Sequence, residues 1–105
     1  MSEVASRALS VSRLLDEVMR SHQSRLIALL AASLRDITLA EDVLQGAALS
    51  ALTHWGRTGP PQSPDSWLLV VARRKAIDRL RGGALLARHT ETIARLATEA
   101  EADYG

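Results

Sequence analysis

Apolar residues recur at helical intervals through the first third of the chain: Leu14, Val18, Leu26, Leu29 and Leu30, with Ser33 closing the series. Neither Gly nor Pro interrupts them, so the pattern predicts a helix over 11–33. Ser10 or Ser12 can cap its start, and Asp16 and Glu17 then face its positive end. A second and broader arc follows, made by Ala40, Val43, Leu44, Ala47, Ala48, Ala51, Leu52 and Trp55. Thr38, Leu39, Ala40 and Glu41 have the spacing of a capping box, with the Thr38 hydroxyl accepting from an amide and Glu41 reaching back. Glu41, Asp42 and Gln45 gather on the polar side, because residues three and four apart share a helix face. Gly46 costs this helix about 1 kcal/mol against Ala, which close approach of another helix would offset.

Residues 56–64 contain three prolines and two glycines, a density that ends the second helix. Ser63 followed by Pro64 is a start signal, and 64–81 reads as a third helix. Its apolar stripe is Leu69, Ala72, Ala76, Ile77 and Leu80, widened by Trp67 and Val70. Arg74 and Arg81 fall on one flank, Lys75 and Arg79 on the other. Arg73 projects close to the stripe, where an unpaired charge is expensive, so Glu41 or Asp42 is its expected partner. Gly82 and Gly83 stop the helix. Leu85, Leu86, His89, Ile93 and Leu96 keep a weaker helical spacing beyond it. The expected organisation is all-α: a flexible N-terminus at 1–10, a compact three-helix body at 11–83, and a linker or partly helical tail at 84–105.

Composition agrees with this reading. A chain of 105 residues has room for one compact domain. Aromatic residues make up 3% and Phe is absent, so Leu, Ala, Val and Ile must build the core, which suits helix packing. Without Cys there are no disulfides or thiolate metal sites, as suits a cytoplasmic protein. The longest unbroken apolar run, 26–32, is seven residues, far short of a membrane span.

Charge adds direction. Lys and Arg number 13 against 12 Asp and Glu, yet five of the basic residues fall within 73–81 beside the single acid Asp78. Such a cluster attracts a polyanion. Positive side chains contact phosphates, and a nearby ring such as Trp67 can stack on an unpaired base; the competing reading is a solvated charged face. No Gly-rich phosphate loop or paired-His signature is present. Glu41 and Asp42 point about 100° apart on a helix, and His22, His54 and His89 are widely spaced. The chain is therefore expected not to be an enzyme and to need no cofactor or metal.

The run Thr38-Leu-Ala-Glu-Asp-Val-Leu-Gln45, the stretch 47–55, and Pro64-Asp-Ser-Trp-Leu-Leu-Val-Val-Ala-Arg-Arg-Lys-Ala-Ile-Asp-Arg-Leu-Arg81 together resemble region 2 of the extracytoplasmic-function (ECF) sigma factors. The resemblance covers 14–81 and favours a subgroup with Gly-x-Pro in the loop and Pro-x-x-Trp opening the third helix, here 59–61 and 64–67. It implies a three-helix domain that binds the clamp of core RNA polymerase through Glu41, Asp42, Gln45 and Leu49. It also implies that the loop captures a base flipped from the promoter −10 element, and that the basic helix holds the opening duplex, chiefly its non-template strand. The matching positions are Arg57, Thr58, Gly59, Gln62, Ser63, Trp67, Arg73, Arg74, Lys75, Arg79 and Arg81.

Arg74 stands where many relatives carry Asn, and Gly82 and Gly83 where further basic residues are usual. The second, upstream-element-reading domain of that family has no match in these residues, which leaves a fragment and a reduced form both open. The alternative reading is a stand-alone interaction module that binds polymerase or an anti-sigma factor without opening DNA. Oligomeric state is left open. The further expectation is that the polymerase-binding side and the arginine-bearing side lie apart.

Overall fold

Leu14–Leu15 and Leu29–Leu30 each offer two apolar side chains about 100° apart, and only one of each pair can face the core squarely. In the computed structural model, which describes residues 2–82 and 94–98, the buried members are Leu15 and Leu30, joined by Val11, Val18, Leu26 and Leu34. Leu14 is half-buried and Leu29 is exposed. Helix α1 spans Glu3–Leu34, so it begins well ahead of the expected start near residue 11. The segment taken for a flexible arm is helical because Ser2 caps it, accepting from the Ala5 N–H at 3.1 Å. Good helix formers then follow at Ala5, Arg7, Ala8 and Leu9.

Helix α1 ends on Arg35, whose φ of 57° and ψ of 34° place it in the left-handed region, with its N–H on the Ala31 carbonyl at 2.7 Å. Such a conformation is uncommon for a residue with a side chain. It turns the chain within two residues, and Asp36 caps α2, Ile37–Thr58, by accepting the Leu39 N–H on Oδ1 at 3.0 Å. The capping box expected at Thr38 is therefore not formed. Asp36 is at least as good a cap as Thr, and its carboxylate also favours the positive helix end. Ile37 is left 60% exposed, outside any staple.

Helix α2 lies between the other two. Ala40, Ala47 and Ala51 are fully buried along with Val43, Leu44 and Trp55, as the arc predicts; Leu52 alone departs from it and is exposed. Small side chains on two sides let both neighbours approach closely. The helix also continues through Gly56 and Arg57 to Thr58, so the Pro- and Gly-rich break starts later than its composition suggests. Gly59, at φ 85°, ends it with its N–H on the Trp55 carbonyl at 2.8 Å.

Helix α3, Pro64–Arg81, begins at the expected proline. Its buried face is Leu68, Val70, Ala72, Ala76, Ile77 and Leu80; Leu68 replaces the half-buried Leu69 in the expected stripe. A further helical stretch at 94–98 sets Leu96 fully into the core, and the Arg95 guanidinium donates to the Ser33 carbonyl. The expected positions 83, 85, 86, 89 and 93 lie outside the described residues. The architecture is all-α, and the described residues hold no strand.

Asp65 fastens the start of α3 to the middle of α1. Its Oδ2 accepts from Arg25 Nη2 at 2.8 Å, and Arg25 in turn lies 3.4 Å from His22 Nδ1. Burial alone would raise the Asp65 pKa. The Ser66 N–H, the Arg25 guanidinium, its own N–H and the His22 charge outweigh burial and hold it below the ordinary value of 3.8. A depressed carboxylate pKa stabilises the fold above the ordinary value, and that contribution fades as pH falls through the folded one. Asp65→Asn is expected to lose roughly 0.5–1 kcal/mol at pH 7. In urea titrations the gap to the parent protein should narrow at pH 3; an equal gap at both pH values would remove the charge from the explanation.

Candidate functional site

Helices α2 and α3 run antiparallel, and their facing residues follow one register. Arg79 Nη1 stands 3.4 Å from Asp42 Oδ2. One turn along, the Lys75 stem lies across Gly46, where an added Cβ would come within 3.0 Å of Lys75 Cδ. At the far end the Trp67 ring meets Trp55 edge-on at 5.3 Å and His54 at 5.5 Å. The fourfold spacing of Asp42 and Gly46 on one helix is matched by that of Lys75 and Arg79 on the other. Gly46 thus leaves room for a basic side chain of the neighbouring helix.

This register corrects one expectation and adds a contact that was not foreseen. Asp42 is met by Arg79, a residue not expected there, and Arg73 is half-buried as its position predicts. The acidic-amide side and the arginine-bearing side are not apart. They adjoin along the α2–α3 seam, and Asp42 and Arg79 touch across it. Sequence spacing assigned each flank correctly within its own helix, but could not say which flank of α3 turns toward α2. The bridge is an open one, with the Arg79 and Asp42 side chains 54% and 57% exposed. Pairs so exposed contribute little to stability and exchange readily for other partners.

On the outer face of α2, Glu41, Gln45 and Leu49 are all exposed at successive fourth positions. Ile37 and Leu52 extend this stripe at its two ends, with Leu49 itself 67% exposed. Neither was singled out from the sequence. The i, i+4 spacing from Glu41 back to Ile37 was the available signal for one, whereas Leu52 was expected in the buried arc. Polar groups flanked by apolar side chains make a surface suited to a specific helix interface.

Of the residues expected around the loop, Arg57, Thr58 and Gly59 line one or both of two hollows. One is open and follows the seam, lined by Gly46, Leu49, Ser50, Thr53, His54, Arg57 and Lys75. The other is a cleft of about 360 Å³ between α1 and the end of α2. From α1 it takes Arg7, Ser10, Val11 and Leu14; opposite are Trp55, Arg57, Thr58, Gly59 and Pro60. Arg57 lines both. Thr58, in the last turn of α2, donates its hydroxyl to the His54 carbonyl at 2.9 Å, which holds its side chain along the helix. Gln62 and Ser63 are exposed but line neither hollow; Arg74 and Arg81 are exposed on the flank of α3 away from the seam. Trp67 is half-buried, wedged between rings at the base of the loop.

Among the described residues no group of three or more His, Cys, Asp or Glu could hold a metal, and no helix is long and apolar enough to cross a membrane. The model of the Sigma-70 region 2 family matches residues 18–84, the C-terminal half of α1 and all of α2 and α3. The chain belongs to the Sigma-70 region 2 family. Sigma-70 region 2 is a non-catalytic regulatory module through which sigma factors interact with RNA polymerase. The chain is also similar to a protein of Rhizobium meliloti (strain 1021) that is itself described only as uncharacterized. The two are 47% identical over 47 residues, which cover 45% of this chain and 11% of that protein. No solved structure matches the chain. The Sigma-70 region 2 match begins at residue 18, so the first turns of α1, including Arg7, Ser10 and Leu14 of the cleft, lie ahead of it.

Proposed function

We propose that this Sigma-70 region 2 domain is of the extracytoplasmic-function kind, binds the clamp of core RNA polymerase, and supports opening of the promoter −10 element. The outer stripe of α2, with Glu41, Gln45 and Leu49, takes the clamp, and Asp42 reaches a cation of the polymerase from the edge of that stripe. The seam and the loop take the separated non-template strand: Arg57, Lys75 and Arg79 along the seam, Arg73, Arg74 and Arg81 on the rest of α3. Thr58, Gly59, Gln62 and Ser63 shape the place of a flipped base, with Trp67 holding the loop from below. Unstacking a base costs a few kcal/mol, which phosphate and pocket contacts offset. The domain makes and breaks no bond; its binding energy favours the open state. These partners place it in the cytoplasm.

The observation that carries this reading is the basic seam running beside an exposed acidic-amide stripe on the same helix pair, with Arg57 shared by two hollows. One body then holds polymerase and strand side by side. The test is Asp42→Ala, measured against both partners. Core-polymerase affinity should fall about tenfold, or ~1.4 kcal/mol. Affinity for single-stranded DNA should hold or rise slightly, because Arg79 loses its competing carboxylate. Equal losses toward both partners would count against separate roles. Loss of polymerase binding in a chain with no affinity for single strands would favour a stand-alone interaction module instead.

A further inference from the structure

Helix α2 carries two interior glycines, Gly46 and Gly56, and neither has the positive φ that would call for glycine. They differ in what surrounds them. A Cβ on Gly56 would meet nothing within 4 Å. One on Gly46 would meet Lys75 Cδ at 3.0 Å, Cε at 3.4 Å and Nζ at 3.9 Å. The outer half of the lysine chain therefore lies flat on α2, in the space that a side chain at 46 would take. Glycine inside a helix is a poorer helix former than alanine, and at Gly46 that loss is set against the seat it gives Lys75.

Lys75 also differs from its neighbours on α3. Arg79, one turn along, has its charge met by Asp42, whereas Lys75 makes no ion pair among the described residues. It is half-buried, while Arg74 and Arg81 stand in solvent. Together with Ser50, Thr53, His54 and Arg57 it lines the open hollow of the seam. Its ammonium is thus held in place at the edge of a polar groove with no carboxylate to answer it.

We infer that Gly46 is a positioning residue for strand binding: by leaving α2 bare at that turn, it keeps Lys75 laid along the seam as a preordered phosphate contact. This rests on the single-strand reading given above and deepens it by naming what orders one of its contacts. An exposed lysine spreads over many rotamers and loses that freedom when it grips a phosphate. A lysine already lying in a groove has less to lose, and preorganisation of this kind raises affinity without adding a contact. A methyl group at 46 would sit against Lys75 Cδ, so the stem must lift and the ammonium swings away from its seat.

The test is a double-mutant cycle on the full chain, with a fluorescein-labelled single-stranded DNA dodecamer of random sequence followed by anisotropy across a salt series. Lys75→Ala should weaken binding about fivefold at low salt and lower the salt slope by about 0.7, the value of one phosphate contact on a single strand. Gly46→Ala should weaken it about threefold through lost preorganisation, while urea unfolding shows a chain at least as stable as the parent, because alanine favours the helix. In the Lys75→Ala background Gly46→Ala should change affinity no further, since the two act through one contact. A Gly46→Ala or Lys75→Ala chain that binds like the parent overturns the inference, and so does a Gly46→Ala loss of the same size in both backgrounds. If Arg74→Ala with Arg79→Ala still weakens binding in those cases, the strand-binding function stands without it. A parent chain that binds no dodecamer overturns both.

Discussion

Replacing Trp55 with alanine is expected to remove roughly 3–5 kcal/mol of stability, the usual cost of emptying a large buried aromatic site. Small domains have only about 5–15 kcal/mol in all, so the variant should be largely unfolded at moderate urea concentrations. Trp55 is fully buried where α1, α2 and the loop converge, and Trp67 packs on it edge-on at 5.3 Å. Trp55→Phe discriminates between packing and hydrogen bonding. It keeps most of the ring volume and deletes an N–H that has no partner among the described residues, so its cost should be well below that of alanine. Urea unfolding of the two variants side by side checks this. A phenylalanine variant as unstable as the alanine one would mean that the indole N–H is satisfied and the packing account is wrong.

The second large effect is on nucleic acid. Arg74→Ala combined with Arg79→Ala should weaken binding to unpaired promoter DNA by about ten- to a hundredfold at low salt. It should reduce the slope of log affinity against log salt by about 1.4, two phosphate contacts at ~0.7 each. Stability should barely change, because the Arg79–Asp42 pair is more than half exposed on both sides. The two arginines lie on opposite flanks of α3, so each single variant should account for about half of the slope. An unaltered slope would reduce the cluster to a solvated surface. The bridge adds a directional consequence: whatever engages Asp42 releases Arg79 for a phosphate. Polymerase docking and strand binding should then favour each other, by no more than the roughly 1 kcal/mol that such a pair is worth.

Much of the candidate site was legible from spacing. Glu41, Gln45 and Leu49 are four residues apart and had to share a face of any helix containing them. The two flanks of α3 were likewise assigned correctly, since Lys75 with Arg79 and Arg74 with Arg81 follow from the helical period. Leucine doublets were not decidable, because neighbouring positions both lie near the stripe and packing alone selects Leu15 and Leu30. The cap of α2 was misplaced for a similar reason: Asp36 and Thr38 are both good caps, and the winner was set by how tightly α1 turns into α2 through Arg35. The N-terminal turns of α1 went unseen because their outward residues, among them Val4 and Leu9, follow no core periodicity.

The order of elements, the bounds of α2 and α3 to within a few residues, and the buried arc of α2 are properties of the chain's local pattern. Periodicity, prolines and caps act between residues close in sequence. The meeting of Asp42 with Arg79 and the rest of Lys75 on Gly46 belong to the tertiary structure alone. Such contacts join residues as far as 37 apart in Asp42–Arg79. They depend on the rotation and register of one packed helix against another, which no single helix's pattern specifies.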